Sequence, residues 1–216
     1  MPFSAALGKS EAKHPVAAAS GGAASPALEW LWGLLRDVPH IRVLDCGPVS
    51  PQTAQILFKR GAKLYIADLI APLQRRDALY WERKDKQLVF RTQDFLALLP
   101  AIPAATLNLA LCWHLLDLAP PEALADVVKK IYGLLEPGGI MFYLLREAYL
   151  PAGVDTAWWL DSLKTIQVKG QGKIAFPYPA ISNREMEKLA PGGSVKTFLT
   201  RTGRREIVVL KPGGTL

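Results

Sequence analysis

The feature that most constrains the fold of this chain is a regular alternation of short apolar runs with longer amphipathic stretches. Apolar runs of strand length occur at Ile41–Cys46, Lys63–Ala67, Gln87–Arg91, Thr106–Cys112 and Ile140–Leu145. Strands separated by helices are typical of a parallel sheet covered on both faces, because each crossover places a helix against the sheet. The sequence therefore predicts an α/β protein with a doubly wound, mainly parallel sheet.

The helices are predicted from capping residues and apolar periodicity. Ser25-Pro26 and Ser50-Pro51 each combine an N-cap residue with a proline suited to the first turn. The helix that begins at Ser50-Pro51 should end at Gly61, where glycine favours termination. Two more stretches have helical spacing, Leu73–Trp81 and Pro121–Leu135, and a short helix is expected near Arg184–Leu189.

The C-terminal segment departs from this alternation. Val195–Thr200 and Glu206–Leu210 flank Thr202-Gly203, which is the pattern of a β-hairpin. These two strands bring the expected total to a seven-stranded sheet that finishes with a C-terminal antiparallel hairpin.

Composition sets the domain organisation. Of the first 26 residues 18 are Ala, Gly, Ser or Pro, so residues 1–26 are predicted to be a disordered tail and residues 27–216 a single domain. No apolar run approaches the ~18 residues of a membrane span, and no secretory signal is recognised near Lys9, so a cytoplasmic protein without membrane contact is expected. Two cysteines indicate neither a disulfide framework nor a metal site.

The net charge of +7 suggests a nucleic-acid partner, but the charge is unevenly distributed. Residues 1–150 carry 16 Lys and Arg against 14 Asp and Glu, whereas residues 151–216 carry 10 against 5. The only local cluster, formed by Arg201, Arg204 and Arg205, flanks the predicted hairpin turn. A scattered, solvated surface is favoured over an RNA footprint, because no recognition helix or aromatic ribbon accompanies the cluster.

Acidic residues follow several of the predicted strands. Asp45, Asp68 and Asp94 each stand at a strand exit, and ligands of open parallel sheets bind beyond the carboxyl ends of the strands. The turn after the first strand lacks the Gly-x-Gly-x-x-Gly pattern of nicotinamide dinucleotide sites, and its prolines, Pro48 and Pro51, lack the N–H groups of a phosphate cradle.

Taken in order, these segments resemble the class I S-adenosylmethionine-dependent methyltransferases. The resemblance rests on five motifs: Val43–Gly47, Tyr65–Asp68, Gln93-Asp94, Leu107–His114 and Tyr132–Gly139. It implies a Rossmann-like methyltransferase fold, S-adenosylmethionine as cofactor, and methyl transfer to a small-molecule acceptor that the sequence does not identify.

The resemblance also implies a set of cofactor-binding residues. Gly47 would lie against the methionyl part of the cofactor, Asp68 would accept both ribose hydroxyls, and Asp94 would accept the adenine amino group. Leu69 and Phe95 would form apolar walls for the ring. The full cofactor-binding set is Asp45, Gly47, Asp68, Leu69, Asp94, Phe95 and Cys112.

Several of these residues also admit structural roles. Asp45 could accept amides of its own loop, Asp68 could be a solvated strand-end acid, and Asp94 could be the N-cap of a helix that begins at Phe95. His114 is a candidate general base, because imidazole exchanges protons near neutral pH, although a buried or exposed histidine without that role is the commoner case.

The chain departs from the family pattern at three positions. Val49 and Pro51 replace glycines of the first motif, and Asn108 stands where the family commonly has Asp. These departures raise an alternative, a methyltransferase-fold binding or scaffold protein that has lost its cofactor site. An RNA-modifying protein is the third hypothesis. Trp158-Trp159 is predicted to be either an aromatic substrate lid or part of an insert helix packed on the sheet edge.

Overall fold

The computed structural model describes residues 22–146, 157–169, 177–200 and 204–213. The helices are α1 Pro26–Leu34, α2 Pro51–Lys59, α3 Ile70–Arg75, α4 Thr92–Leu96, α5 Leu115–Leu118, α6 Leu124–Leu134 and α7 Asn183–Leu189. The strands are β1 Ala23–Ala24, β2 Arg42–Asp45, β3 Lys63–Ile66, β4 Trp81–Lys84, β5 Gln87–Phe90, β6 Leu107–Trp113, β7 Leu135–Arg146, β8 Ala157–Leu160, β9 Thr165–Lys169, β10 Ser194–Leu199 and β11 Arg204–Leu210.

The central sheet has six strands in the order β10-β11-β7-β6-β2-β3. Strands β3, β2, β6 and β7 run parallel, whereas β11 runs antiparallel to both β7 and β10. The α/β class is confirmed, and the antiparallel pair at the C-terminal end covers the residues predicted as a hairpin. The predicted turn residues Thr202 and Gly203 lie outside the described residues.

Both faces of this sheet are buried, because alternate residues of each strand point to opposite sides. One face packs against α6 and includes Leu44, Ala110 and Tyr143. The other packs against α1 and includes Val43 and Phe142. We call these the α6 face and the α1 face.

The predicted seventh strand does not join the sheet. Gln87–Phe90 is a strand, but it pairs with β4 in a separate two-stranded hairpin. Asp85 and Lys86 connect the two strands with φ of 49° and 69°, and two consecutive residues of positive φ favour a tight hairpin turn. The prediction of seven strands was therefore wrong by one, and β3 is an edge strand.

One predicted helix is also shorter than expected. The stretch Leu73–Trp81 divides, because α3 ends where Arg76 adopts a left-handed conformation with φ of 49°. A single 3₁₀ turn, Ala78–Tyr80, follows it, and Trp81 already belongs to β4.

The predicted helix starts are confirmed. The Ser25 side chain accepts a hydrogen bond from the Leu28 amide at the start of α1. The Ser50 side chain accepts one from Thr53 in the same way at the start of α2. A proline follows each cap in the first turn of the helix. Proline fits this position because the backbone amides of the first turn have no hydrogen-bond partner within the helix.

The segment after β7 adds a second, small sheet in the order β1-β9-β8. The Leu160 amide donates to Thr53 Oγ1 at 3.0 Å, which attaches β8 to α2. Trp158 and Trp159 thus lie in a strand, and the predicted insert helix was wrong at these residues.

Of the predicted tail, residues 1–21 lie outside the described residues, and Ala23–Ala24 form β1. Among the helices that the structure describes, none is both long and apolar enough to cross a membrane.

Candidate cofactor site at the strand ends

The carboxyl ends of β2 and β3 bring two of the predicted acids together. The strands are parallel neighbours, and the Ala67 amide donates to the carbonyl of Asp45 at 2.9 Å just beyond their last paired residues. Strand β2 has β3 on one side and β6 on the other, so the chain connections on the two sides of β2 run in opposite directions along the sheet. A crevice at such a switch point is where open α/β sheets bind ligands.

Asp68 holds the start of α3 with only one of its oxygens. Its Oδ1 accepts hydrogen bonds from the amides of Ile70 at 3.1 Å and Ala71 at 2.9 Å. Within the described part of the chain Oδ2 makes no hydrogen bond, and the side chain is half-buried. Asp68 therefore presents a fixed carboxylate with a free acceptor at the strand exit.

Asp45 is almost fully buried beside it. Its Oδ1 accepts hydrogen bonds from Trp113 Nε1 at 2.7 Å and from the Gly47 amide at 3.0 Å. Burial raises the pKa of Asp45 to about 6, the two hydrogen bonds oppose that rise, and the charge of Asp68 adds to it. The loop-amide role predicted as an alternative for Asp45 is therefore present in the structure.

The raised pKa of Asp45 predicts a pH-dependent stability that Asp45→Asn removes. Below the ordinary pKa of 3.8 the carboxyl is protonated in both states; between pH 3.8 and about 6 the unfolded chain is ionised while the folded one keeps its proton, and above about 6 both are ionised. The wild type should therefore lose about 2 kcal/mol from this group between pH 4 and pH 7. Asparagine keeps the acceptor oxygen without the charge.

Urea denaturation of both proteins at the two pH values measures this. The free energy of unfolding of Asp45→Asn relative to wild type should rise from pH 4 to pH 7. A difference that is equal at both pH values would show that the buried carboxyl does not titrate in this range.

Gly47 is in close contact with the indole of Trp113. A Cβ added to Gly47 would lie 2.7 Å from Trp113 Cδ1 and 2.8 Å from Nε1. Trp113 itself has φ of 48° and packs edge-on against Phe142 on the α1 face. The space beside Gly47, where the resemblance implies the methionyl part of a cofactor, thus contains an aromatic ring.

The predicted apolar contacts of the adenine ring lie in the core. Leu69, Phe95 and Cys112 are fully buried on the α6 face. The Phe95 ring contacts Tyr80 with 5.7 Å between ring centroids and Phe90 with 5.3 Å. The three side chains therefore pack inside the protein and do not line an open surface.

Asp94 lies in the first turn of α4, where its carboxylate pairs with the guanidinium of Arg91. Arg91 is the N-cap residue of α4, so the predicted capping role of Asp94 was wrong by three residues. Both side chains are half-exposed, which leaves the ion pair accessible to a competing ligand.

His114 follows β6 and is buried with an acid that the sequence reasoning did not single out. Its Nδ1 lies 3.3 Å from Asp117 Oδ2, which also accepts the Arg146 amide at 2.9 Å. The imidazole ring packs edge-on against Trp158 with 5.0 Å between centroids. The signal for Asp117 was its position three residues after His114, within reach on a helical turn.

The three departures from the family pattern have local structural roles. Val49 is 68% exposed, so its side chain does not fill the loop. Pro51 occupies the first turn of α2. Asn108 lies at the opposite, amino end of β6, where its Oδ1 accepts the Arg42 amide at 2.7 Å and its Nδ2 donates to Glu136. Asn108 is therefore remote from the crevice.

Two members of the predicted arginine cluster are described, Arg204 and Arg205, and they do not form an exposed basic patch. Arg205 is buried and donates to Asn183 Oδ1 and to the carbonyl oxygens of Ile181 and Arg146. The Arg204 guanidinium carbon lies 3.9 Å from the centroid of the Trp158 ring. Arg201 lies outside the described residues.

Comparisons with solved structures give distant likenesses to methyltransferases. A S-adenosylmethionine-dependent methyltransferase from Methanosarcina mazei is 13% identical, with 81% of this chain and 94% of that chain covered and a TM-score of 0.44. The 1,6-didemethyltoxoflavin-N1-methyltransferase from Burkholderia thailandensis, solved with S-adenosylhomocysteine, is 17% identical over 87% of this chain and 77% of that chain, with a TM-score of 0.48. The N-methyltransferase NodS from Bradyrhizobium japonicum is 10% identical over 86% and 94%, with a TM-score of 0.47.

These identities and TM-scores are too low to transfer any activity to this chain. No family model matches the sequence, and no curated protein resembles it.

Proposed function

We propose that this protein binds S-adenosylmethionine at the carboxyl ends of β2 and β3 and transfers its methyl group to a small-molecule acceptor. The observation that carries the proposal is Asp68, whose Oδ2 is free at the switch point of the sheet while Oδ1 is fixed by α3. A fixed carboxylate that only accepts hydrogen bonds suits the two hydroxyls of a ribose.

The remaining residues would divide the work of holding the cofactor. Asp68 would bind the ribose, and Asp94 would reach the adenine amino group after leaving Arg91. Asp45 orients the loop through the Gly47 amide. When bound, S-adenosylmethionine supplies a methyl group on a sulfonium sulfur, and transfer by in-line displacement depends mainly on positioning.

A second candidate function has its own observation. The Trp113 indole packs against Gly47 and donates to Asp45, so the methionyl position is already in contact with an aromatic side chain. A protein of this fold that binds a nucleoside, or uses the domain as a scaffold without methyl transfer, would have no need to clear this space. A nucleoside-binding protein of this kind would bind adenosine as tightly as S-adenosylhomocysteine, whereas a scaffold that has lost the site would bind neither.

The proposal predicts that Asp68→Asn weakens S-adenosylhomocysteine binding by about tenfold to a hundredfold, the range for losing a hydrogen bond to a charged group. Asparagine retains Oδ1, so the amides of Ile70 and Ala71 keep their acceptor. Binding is measured as the ligand-induced rise in melting temperature over a concentration series.

Asp77→Asn is the matched control. Asp77 also accepts a backbone amide with Oδ1, from Leu79 at 3.1 Å, and is half-buried like Asp68, but it precedes the 3₁₀ turn Ala78–Tyr80 and does not stand at a strand exit. Its substitution removes the same charge and should leave affinity unchanged. An equal loss of affinity in the two variants would assign the effect to net charge and contradict the proposed role of Asp68.

A further inference from the structure

A second site of the molecule lies on the α1 face, between the central sheet and the small β1-β9-β8 sheet. A cavity of about 400 Å³ opens there between β11, β7 and the start of α1. Leu144, Trp158 and Ile166 provide apolar walls, and Arg204 and Glu206 provide charged groups. The volume is within the range of small-molecule sites. None of the predicted cofactor-binding residues lines it.

The distinctive group of this cavity is Glu206, which is only 3% exposed. Its Oε2 accepts hydrogen bonds from Ser25 Oγ at 2.9 Å and the Ala27 amide at 3.0 Å, both at the start of α1. Its second oxygen, Oε1, makes no hydrogen bond to any residue that the structure describes. A buried carboxylate with an unused acceptor is costly, because a charge removed from water requires compensating donors.

The pKa of Glu206 is consistent with this cost. Burial raises it above its ordinary value, and the hydrogen bonds from Ala27 and Ser25 only partly oppose the rise. A positively charged donor placed at Oε1 would favour the ionised form.

The other charged group of the cavity has a defined position. The Arg204 guanidinium stacks over the Trp158 ring, a cation–π arrangement. Arg204 and Glu206 form no ion pair in the described part of the chain, so the Glu206 carboxylate is not neutralised by a neighbouring cation. The lining therefore combines a carboxylate acceptor with apolar walls, and it suits a ligand with an ammonium group on a short hydrocarbon body.

We propose that this cavity binds a small primary amine, with its ammonium group donating to Glu206 Oε1 and its hydrocarbon body packed against Leu144, Trp158 and Ile166. The site is independent of the proposed cofactor crevice. An ammonium group adds a charge–charge attraction to its hydrogen bond with the carboxylate, whereas a neutral hydroxyl supplies the hydrogen bond alone. An amine should thus bind about tenfold more tightly than the corresponding alcohol.

The test is a calorimetric titration of the full chain, without cofactor, using four probes that share one branched hydrocarbon body. Isoamylamine should bind at millimolar concentration or below, isoamyl alcohol about tenfold more weakly, and the carboxylate isocaproate not measurably. Leucine carries the same ammonium group, and its binding with the same dependence on Glu206 would support the site and identify an amino acid as the ligand class. Absence of isoamylamine binding at millimolar concentration, or isocaproate binding as tight as the amine, would overturn the proposal.

Two variants separate ligand binding from folding. Glu206→Gln retains an acceptor for the Ala27 amide and should lower the affinity for isoamylamine at least about tenfold. Ser50→Ala removes the equivalent cap of α2, and Ser50 does not line this cavity, so the variant should lower the melting temperature by about 2–4 °C while keeping amine affinity. Unchanged amine binding in Glu206→Gln would contradict the site. Should Glu206→Gln fail to fold, the ranking of the four probes on the wild type decides.

Discussion

Gly47→Ala is expected to destabilise the protein by about 3 kcal/mol, because the new methyl group has no room. Its Cβ would be placed 2.7 Å from Trp113 Cδ1, well inside van der Waals contact. The indole cannot move away freely, since Trp113 is 2% exposed and its Nε1 donates to Asp45 at 2.7 Å. Displacing the ring would also leave the buried Asp45 carboxylate with one donor fewer, which adds to the cost.

Gly133→Ala is the matched control for this substitution. Gly133 lies within α6, and a Cβ built there meets no atom within 4 Å. Alanine is the better helix former, so Gly133→Ala should stabilise the protein by about 0.5–1 kcal/mol. Both variants are compared by urea denaturation. A Gly47→Ala variant as stable as the wild type would show that Trp113 does not occupy the space beside Gly47.

Phe95→Ala is expected to cost about 3–5 kcal/mol of stability, the usual cost of truncating a fully buried phenylalanine. The ring has no solvent exposure and contacts the aromatic rings of Tyr80 and Phe90. Those rings belong to the segment that carries the β4–β5 hairpin, so the truncation should loosen the hairpin as well. Leu98→Ala serves as the control, because Leu98 is 38% exposed and its truncation should cost less than about 1 kcal/mol.

Calorimetric unfolding of the two variants distinguishes a core residue from a ligand contact. A stability loss below about 1 kcal/mol in Phe95→Ala, together with a large loss of S-adenosylhomocysteine affinity, would place the ring at the cofactor instead of in the core. The family resemblance, which implies that Phe95 is a wall of the adenine pocket, requires this large loss of S-adenosylhomocysteine affinity.

The parts of the fold that could be predicted from the sequence are those with local signals. Ser25-Pro26 and Ser50-Pro51 mark helix starts, because the capping hydrogen bond spans only three residues. Apolar runs such as Leu107–Trp113 mark strands buried on both faces. The hairpin strand β5 was also recognised as a strand, but its partner was not, because Asp85-Lys86 is not one of the common turn sequences.

The site was predictable only in part, because its contacts are non-local. The sequence located Asp45 and Asp68 at strand exits, and the parallel pairing of β2 with β3 brings them together. The contact between Trp113 and Gly47 could not be predicted from the sequence, because it depends on the register between β2 and β6. Glu206 bonds Ser25 across 181 residues of sequence and likewise has no local signal.

The burial of Leu69, Phe95 and Cys112 illustrates the same limit. An apolar residue at a strand exit can face either a ligand or the core, and the choice depends on the helices that cover the sheet. Here the α6 face covers all three side chains. For the acids of the crevice, which carry charge, a position at a strand exit was a clearer indication of a ligand site than it was for these apolar residues.

Isothermal titration of the wild-type protein with S-adenosylhomocysteine tests most directly whether the strand ends around Asp68 form a S-adenosylmethionine site. We predict saturable binding at a single site with a dissociation constant below about one millimolar, and weaker binding of adenosine, which lacks the part that extends toward Gly47. No binding of S-adenosylhomocysteine or S-adenosylmethionine at millimolar concentration would contradict the claim.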